Sequence, residues 1–174
     1  MACHRFRSKA QASLRTPQTD RLRFSSSGKP GYTLRVIKET LRLYPPITFI
    51  PRVAMERTRI GRYRVKRGAM IMISPWTTHR HRKLWKDPDV FDPDRFLPER
   101  EHELTPGAYL PFGMGQRTCV GAGFAQTEAS LIIARLTRRF ELSTLEPEKV
   151  RPVARLTTRP VQQIHCRVSP RGTA

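Results

Sequence analysis

The chain has 174 residues, with 33 Lys or Arg against 14 Asp or Glu, a formal net charge of +19. This length suits one domain with one core, and no run of eighteen apolar residues offers a membrane-spanning helix. The charge raises nucleic acid as a partner, but the cations run from Arg5 to Arg171 without a dense block or zinc-ligand spacing, so most of them read as a solvated arginine-rich surface.

Residues 1–31 are rich in Ser, Arg, Gln and Thr, with Asp20 the one acid. They show no apolar periodicity, and Phe24 to Gly31 reads as a flexible linker. The composition also matches an organelle transit peptide, but no helical amphipathicity supports that, and a disordered basic leader is the simpler reading. From Thr33 to Tyr44 apolar residues fall at Leu34, Ile37, Leu41 and Tyr44, which predicts an amphipathic helix ended by Pro45-Pro46. Short strands are predicted at Arg57–Ile60 and Tyr63–Val65 around Gly61-Arg62, and a buried strand at Ala69–Ser74. Trp76–Trp85 reads as a short helix, and Lys86–Leu110, rich in Pro and Asp, as an irregular meander. A glycine-punctuated loop over 111–123 leads into a long helix, Phe124–Phe140, with Ala125, Ala129, Ile132, Ile133, Leu136 and Phe140 on one face. Residues 150–168 read as two strands around an Arg159-Pro160 turn.

The three cysteines, Cys3, Cys119 and Cys166, are odd in number and widely spaced, which is not a disulfide framework and points to a reducing compartment. Cys119 stands apart because of its setting, Pro111-Phe112-Gly113-Met114-Gly115-Gln116-Arg117-Thr118-Cys119-Val120-Gly121-Ala122-Gly123. The glycines permit backbone geometry closed to other residues and close approach to a flat ligand. The N-terminus of the following helix favours a thiolate. Arg117 offers a fork of donors for a carboxylate. Together these suit a metal macrocycle with carboxylate arms. Alone, a cysteine in a tight turn before a helix is more often plain core.

This loop resembles the haem-binding signature of the cytochrome P450 family, F-x-x-G-x-R-x-C-x-G, with Phe112, Gly115, Arg117, Cys119 and Gly121 at the fixed positions. Two further segments agree with it. Glu39-Thr40-Leu41-Arg42, followed by Leu43-Tyr44-Pro45-Pro46, resembles the E-x-x-R helix of that family and its prolines. By itself such a pair is an exposed ion pair worth about 0.3–0.5 kcal/mol. Phe91-Asp92-Pro93-Asp94-Arg95-Phe96 resembles the meander motif. The order of the motifs, the intervening Thr78-His79-Arg80, Trp85 and Pro88, and the tail Leu156-Thr157-Thr158-Arg159-Pro160 also fit.

The resemblance implies an α+β chain, the C-terminal part of the mainly α cytochrome P450 fold. Residues 1–31 would be a disordered basic leader unrelated to the family, and 32–174 the C-terminal haem-binding portion. Cys119 would be the axial ligand to the iron of haem b (iron protoporphyrin IX). Glu39, Arg42 and Arg95 would form a buried charge network, and Arg52 would face a haem propionate beside Arg117. The implied activity is monooxygenation of a small organic substrate, with electrons from a ferredoxin or a flavodoxin/reductase-type donor, in a soluble bacterial-type cytoplasmic setting. The acid–alcohol pair of the family's central helix has no counterpart in residues 1–31, so the sequence reads as a fragment or a truncated or frame-shifted product. Two other readings stay open: a remnant that at most binds haem, and a basic nucleic-acid-binding protein.

Overall fold

Leu34, Ile37 and Leu41 recur at helical spacing, and the helix they announce, α1, spans Gly31–Leu43 in a computed structural model that describes residues 31–154 and 157–171. The leader therefore lies outside the described residues but for Gly31, which opens the helix instead of closing a linker. Pro45 and Pro46 stop it, since neither has an amide to continue the ladder. The face α1 turns inward is only partly the apolar one. Ile37 and Leu43 are buried, but so are Glu39 and Arg42, both at 0% exposure, whereas Tyr44 stays in solvent.

Four strands follow: β1 Ile50–Val53, β2 Thr58–Ile60, β3 Tyr63–Val65 and β4 Met70–Ile73. β1 pairs antiparallel with β4, Arg52 standing opposite Ile71. β2 and β3 form a separate hairpin in which Arg59 opposes Arg64. Gly61 enters the turn at φ +57°, a conformation that suits a residue without Cβ. β4 corrects the sequence reading of a buried strand. Met70 is 68% exposed and Met72 51%. An unbroken apolar run signals burial when both faces of a sheet are covered, and among the described residues this sheet has two strands.

The short helix expected over Trp76–Trp85 shrinks to α2, Pro75–Thr78, capped by Ser74 Oγ, which accepts from the Thr77 amide. Beyond it the chain turns so that His79 and Trp85 both point inward, and Trp85 Nε1 donates to Thr78 O at 3.2 Å. The Pro- and Asp-rich meander contains two 3-10 turns, Pro93–Phe96 and Pro98–Glu103. Asp92 caps the first through the Asp94 amide, which carries Arg95 and Phe96 inward. Phe96 meets Trp85 and Ala108 in the apolar core, with Leu84, Leu104 and Tyr109 packed around it.

The long helix α3 runs Ala122–Arg139, so Ala122 and Gly123 belong to it and not to the loop. Its expected inner face also needs correction. No residue of α3 is fully buried, and Ala125, Ile132 and Leu136 are exposed, leaving Ala129, Ile133 and Phe140 as the partly covered members of that set. Phe140 leaves the helix and begins β5, Phe140–Thr144, which pairs with β8, Cys166–Pro170. This ladder did not emerge from the sequence. Between them lie β6, Pro152–Ala154, and β7, Thr158–Pro160. Arg159 and Pro160 are thus strand residues and not a turn, Arg159 standing opposite Val153. Pro152 and Pro160 face each other at the end of the ladder, the place in a sheet where a missing amide is harmless. The tail returns to α1, where Thr158 donates from Oγ1 to Pro45 O and from its amide to Pro46 O.

Candidate functional site

The centre of the molecule is ionic. The Glu39 carboxylate accepts from Arg42 Nε at 2.7 Å and from Nη2 at 2.8 Å, a bidentate fork with both side chains sealed from solvent. Glu39 Oε1 also accepts from the Asp92 amide at 2.9 Å and from Arg95 Nε at 3.4 Å. The remaining donors of the two guanidiniums go to main-chain carbonyls. Arg42 reaches His79 O, Pro88 O and Val90 O, and Arg95 reaches Lys86 O and Asp87 O. Arg42 also lies over the Trp85 ring, 5.1 Å from its centroid. Glu39 is the one fully buried carboxylate against two guanidiniums, and the half-exposed Asp92 carboxylate adds only a longer contact, Oδ2 4.0 Å from Arg95 Nε, so the site leans on the dipoles of these carbonyls. The structure thus brings Glu39, Arg42 and Arg95 together, and with them the first turn of the meander.

His79, to which the sequence assigns no role, sits against this network. Its ring is fully buried, with Nδ1 3.0 Å from Arg42 O and Nε2 accepting from the Leu110 amide at 2.7 Å. Burial, with Arg42 and Arg80 nearby, pushes its pKa from 6.5 down to about 4. Tyr109 stacks beside it at 5.4 Å and donates from its hydroxyl to Lys38 O. Burial raises the Tyr109 phenol, and the nearby Glu39 charge acts in the same direction. A buried histidine has no distinctive periodicity, and its only signal in the sequence was its place beside Arg80 in the stretch leading to Trp85.

Leu110 is the last buried residue before the cysteine loop. Gly113 and Gly115 take φ of +78° and +72°, which lets the chain reverse through a 3-10 turn, Gly115–Arg117. The Cys119 amide donates back to Phe112 O at 2.9 Å, closing the loop. Cys119 is a free, exposed thiol three residues before α3. Gly121 caps that helix without a side chain, so no side-chain oxygen takes up the amides of its first turn. A Cβ at Gly121 would stand 3.9 Å from Cys119 Sγ. Phe112 is half-buried, while Gly115 and Arg117 are exposed. Among the described residues no carboxylate lies in ion-pair range of Arg117. Arg52 lies on β1 with Nη1 donating to Pro51 O and, among the described residues, no hydrogen bond to the cysteine loop.

These residues fit a haem. No cluster of three His, Cys, Asp or Glu side chains among the described residues could hold a bare metal ion. An accessible thiol bordered by glycines suits a metal whose other ligands belong to a flat macrocycle, and the guanidinium two positions away is free for an acidic substituent.

A family model described as cytochrome P450 matches residues 13–167. The chain belongs to the cytochrome P450 family. Cyclooctatin synthase of Streptomyces melanosporofaciens is 41% identical over 82% of this chain and 31% of its own length. Pentalenene oxygenase of Streptomyces avermitilis is 36% identical over 80% of this chain and likewise 31% of itself. Among solved structures, the heme domain of cytochrome P450DA superposes with a TM-score of 0.75 at 29% identity, covering 97% of this chain and 37% of that one. The chain thus spans about a third of the length of the P450 relatives it matches. The α+β arrangement described above is the corresponding part of the P450 fold, and haem is the cofactor of this family. Among the described residues no helix is long and apolar enough to cross a membrane.

Proposed function

We propose that this chain forms the haem-thiolate portion of a P450 monooxygenase, with Cys119 Sγ as the axial ligand of haem b. Bound there, haem activates dioxygen, and a thiolate ligand favours O–O cleavage. The chain's own residues do the holding. Gly121 keeps a side chain away from the thiol, Gly115 supplies the positive φ of the turn, Phe112 closes the loop through its carbonyl, and Arg117 and Arg52 would receive the carboxylate arms. Glu39, Arg42 and Arg95 hold the meander against α1 and so fix the floor on which the loop rests. The observation that carries the reading is an exposed thiol at the end of a positive-φ glycine loop, closed by the Cys119 amide on Phe112 O.

The activity that follows is insertion of one oxygen atom of O2 into a small organic molecule, in a soluble cytoplasmic setting. Electrons come from a ferredoxin or a flavodoxin/reductase-type donor, whose acidic surface suits a chain of net charge +19. A second reading is favoured by α3, which has no buried residue and exposes Phe124 and Leu131. A helix so uncovered fits a polypeptide that takes up haem without turning over.

Hemin reconstitution of the full chain tests both. The reduced carbon-monoxide complex of the wild type is expected to show a thiolate-type Soret band that Cys119→Ala abolishes, and a band indifferent to Cys119 overturns the assignment. Oxygenation of a test terpene or fatty acid with ferredoxin and reductase then separates the monooxygenase from the haem-binding remnant.

A further inference from the structure

We infer that His79 is the positioning residue of the cysteine loop, a neutral imidazole in its Nδ1–H form that fixes Leu110, and through it Phe112 and Cys119, against the Glu39–Arg42 turn of α1. The tautomer follows from the partners. The Leu110 amide can only donate, so Nε2 presents a lone pair. Arg42 O can only accept, so Nδ1 carries the proton. One species, the neutral Nδ1–H ring, satisfies both sides at once. The link is also reciprocal, since Arg42 Nη1 donates to His79 O at 2.8 Å while the His79 ring donates to Arg42 O. α1 and residue 79 are therefore tied in both directions before the ring reaches across to Leu110.

From Leu110 the constraint passes along the main chain. Leu110 O accepts the Gly113 amide at 3.2 Å, and Phe112 O accepts the Cys119 amide. Leu110 is itself buried, and its amide depends on the ring for an acceptor. Without the ring a buried donor is left unpaired at the root of the loop, a loss felt there first. The inference rests on the haem-thiolate reading only for what the loop is positioned to hold.

Two substitutions divide the bridge. The Asn amide of His79→Asn spans the Nδ1 side and keeps the bond to Arg42 O but stops short of Leu110. The Gln amide of His79→Gln extends to the Nε2 side and can accept from Leu110. Amide hydrogen exchange on the full chain without haem is the readout. His79→Asn is expected to speed exchange at Leu110, Gly113 and Cys119 by about tenfold, with the Ile37 and Leu43 amides of α1 unchanged, and His79→Gln to return the loop amides towards wild type. Acceleration spread evenly over α1 and the loop in both variants would show an ordinary core residue and overturn the inference, as would no acceleration at all. Long-range proton–nitrogen NMR of the wild type needs no variant, and an Nε2–H or doubly protonated ring at neutral pH overturns the inference as well. Hemin titration of the same proteins keeps the two claims apart. A loop-specific pattern without a Cys119-dependent Soret band sinks the haem reading and leaves the bridge standing, whereas the band with a flat exchange pattern sinks the bridge alone.

Discussion

Glu39 Oε1 stands 3.4 Å from Arg95 Nε, although 56 residues of chain separate them. The same oxygen takes the Asp92 amide and one arm of Arg42, so a single atom joins α1 to the meander. Glu39→Gln preserves the shape but removes the charge and turns an amide NH2 towards a guanidinium. A loss of about 3–5 kcal/mol is expected, read from urea unfolding. A loss below about 1 kcal/mol, the worth of an ordinary hydrogen bond, would mean that the carbonyls of the meander hold the two arginines unaided.

The glycines of the cysteine loop should separate by backbone conformation. Gly115 has open space around it but φ of +72°, so Gly115→Ala meets strain and not a clash. About 1–2 kcal/mol is expected. Gly121 lies at φ −85°, and a Cβ there makes ordinary contact with Cys119 Sγ. Gly121→Ala should leave stability within about 0.5 kcal/mol while slowing alkylation of Cys119 by iodoacetamide in a Cys3→Ser, Cys166→Ser background. Equal stability losses at the two positions would contradict this division.

Much of this was legible in the sequence, and the failures share a cause. The E-x-x-R turn, the meander arginine and the cysteine loop were visible because their residue types and spacing are specific, and α1 because Leu34, Ile37 and Leu41 keep helical spacing. What depended on partners far along the chain was not. β5 has no local signature, because its pairing strand, β8, begins only at Cys166, and Phe140 completes the apolar stripe of α3. Met70 to Ile73 looked buried because apolar runs usually are, but burial belongs to what lies above a strand, and that is not written in the strand. His79 carried no pattern of its own. Its importance comes from a carbonyl 37 residues before it and an amide 31 residues after it.

Acid should loosen the molecule through His79. In the unfolded chain the ring gains its proton near pH 6.5, and in the folded chain only near pH 4. Between these values the unfolded state binds the extra proton, so this contribution is whole above about pH 6.5 and is lost as the pH falls through about 4, by roughly 3 kcal/mol at most. Arg42 on α1 and the neighbouring Arg80 oppose the protonated ring, and Tyr109, the aromatic group stacked on it, stays neutral throughout. The check is the difference in unfolding free energy between about pH 7 and pH 4 for wild type and His79→Gln, since the carboxylates titrate alike in both. Parallel pH profiles for the two proteins would refute the claim.

The hairpin of β2 and β3 carries a built-in repulsion. Arg59 and Arg64 are direct cross-strand partners, both exposed, and among the described residues neither has a carboxylate in ion-pair range. Arg64→Glu replaces like charges with opposite ones and should stabilise the hairpin by about 0.2–1 kcal/mol. The gain should shrink as salt is added, because exposed charges are screened. Thermal unfolding at low and high salt measures both effects, and a salt-independent change would point to packing and not to charge.

The two buried arginines grip the meander by its main chain. Every contact they make between Lys86 and Val90 ends on a carbonyl oxygen, at positions 86, 87, 88 and 90. A carbonyl is the same in all twenty residues, so the clamp is blind to the letters written there. This stretch is where the chain can be recoded most freely by an engineer wanting a label, a tag or a new surface. Pro88, which is buried, and Asp87, whose φ of +44° restricts that position to the few residues that tolerate a left-handed bend, are the exceptions.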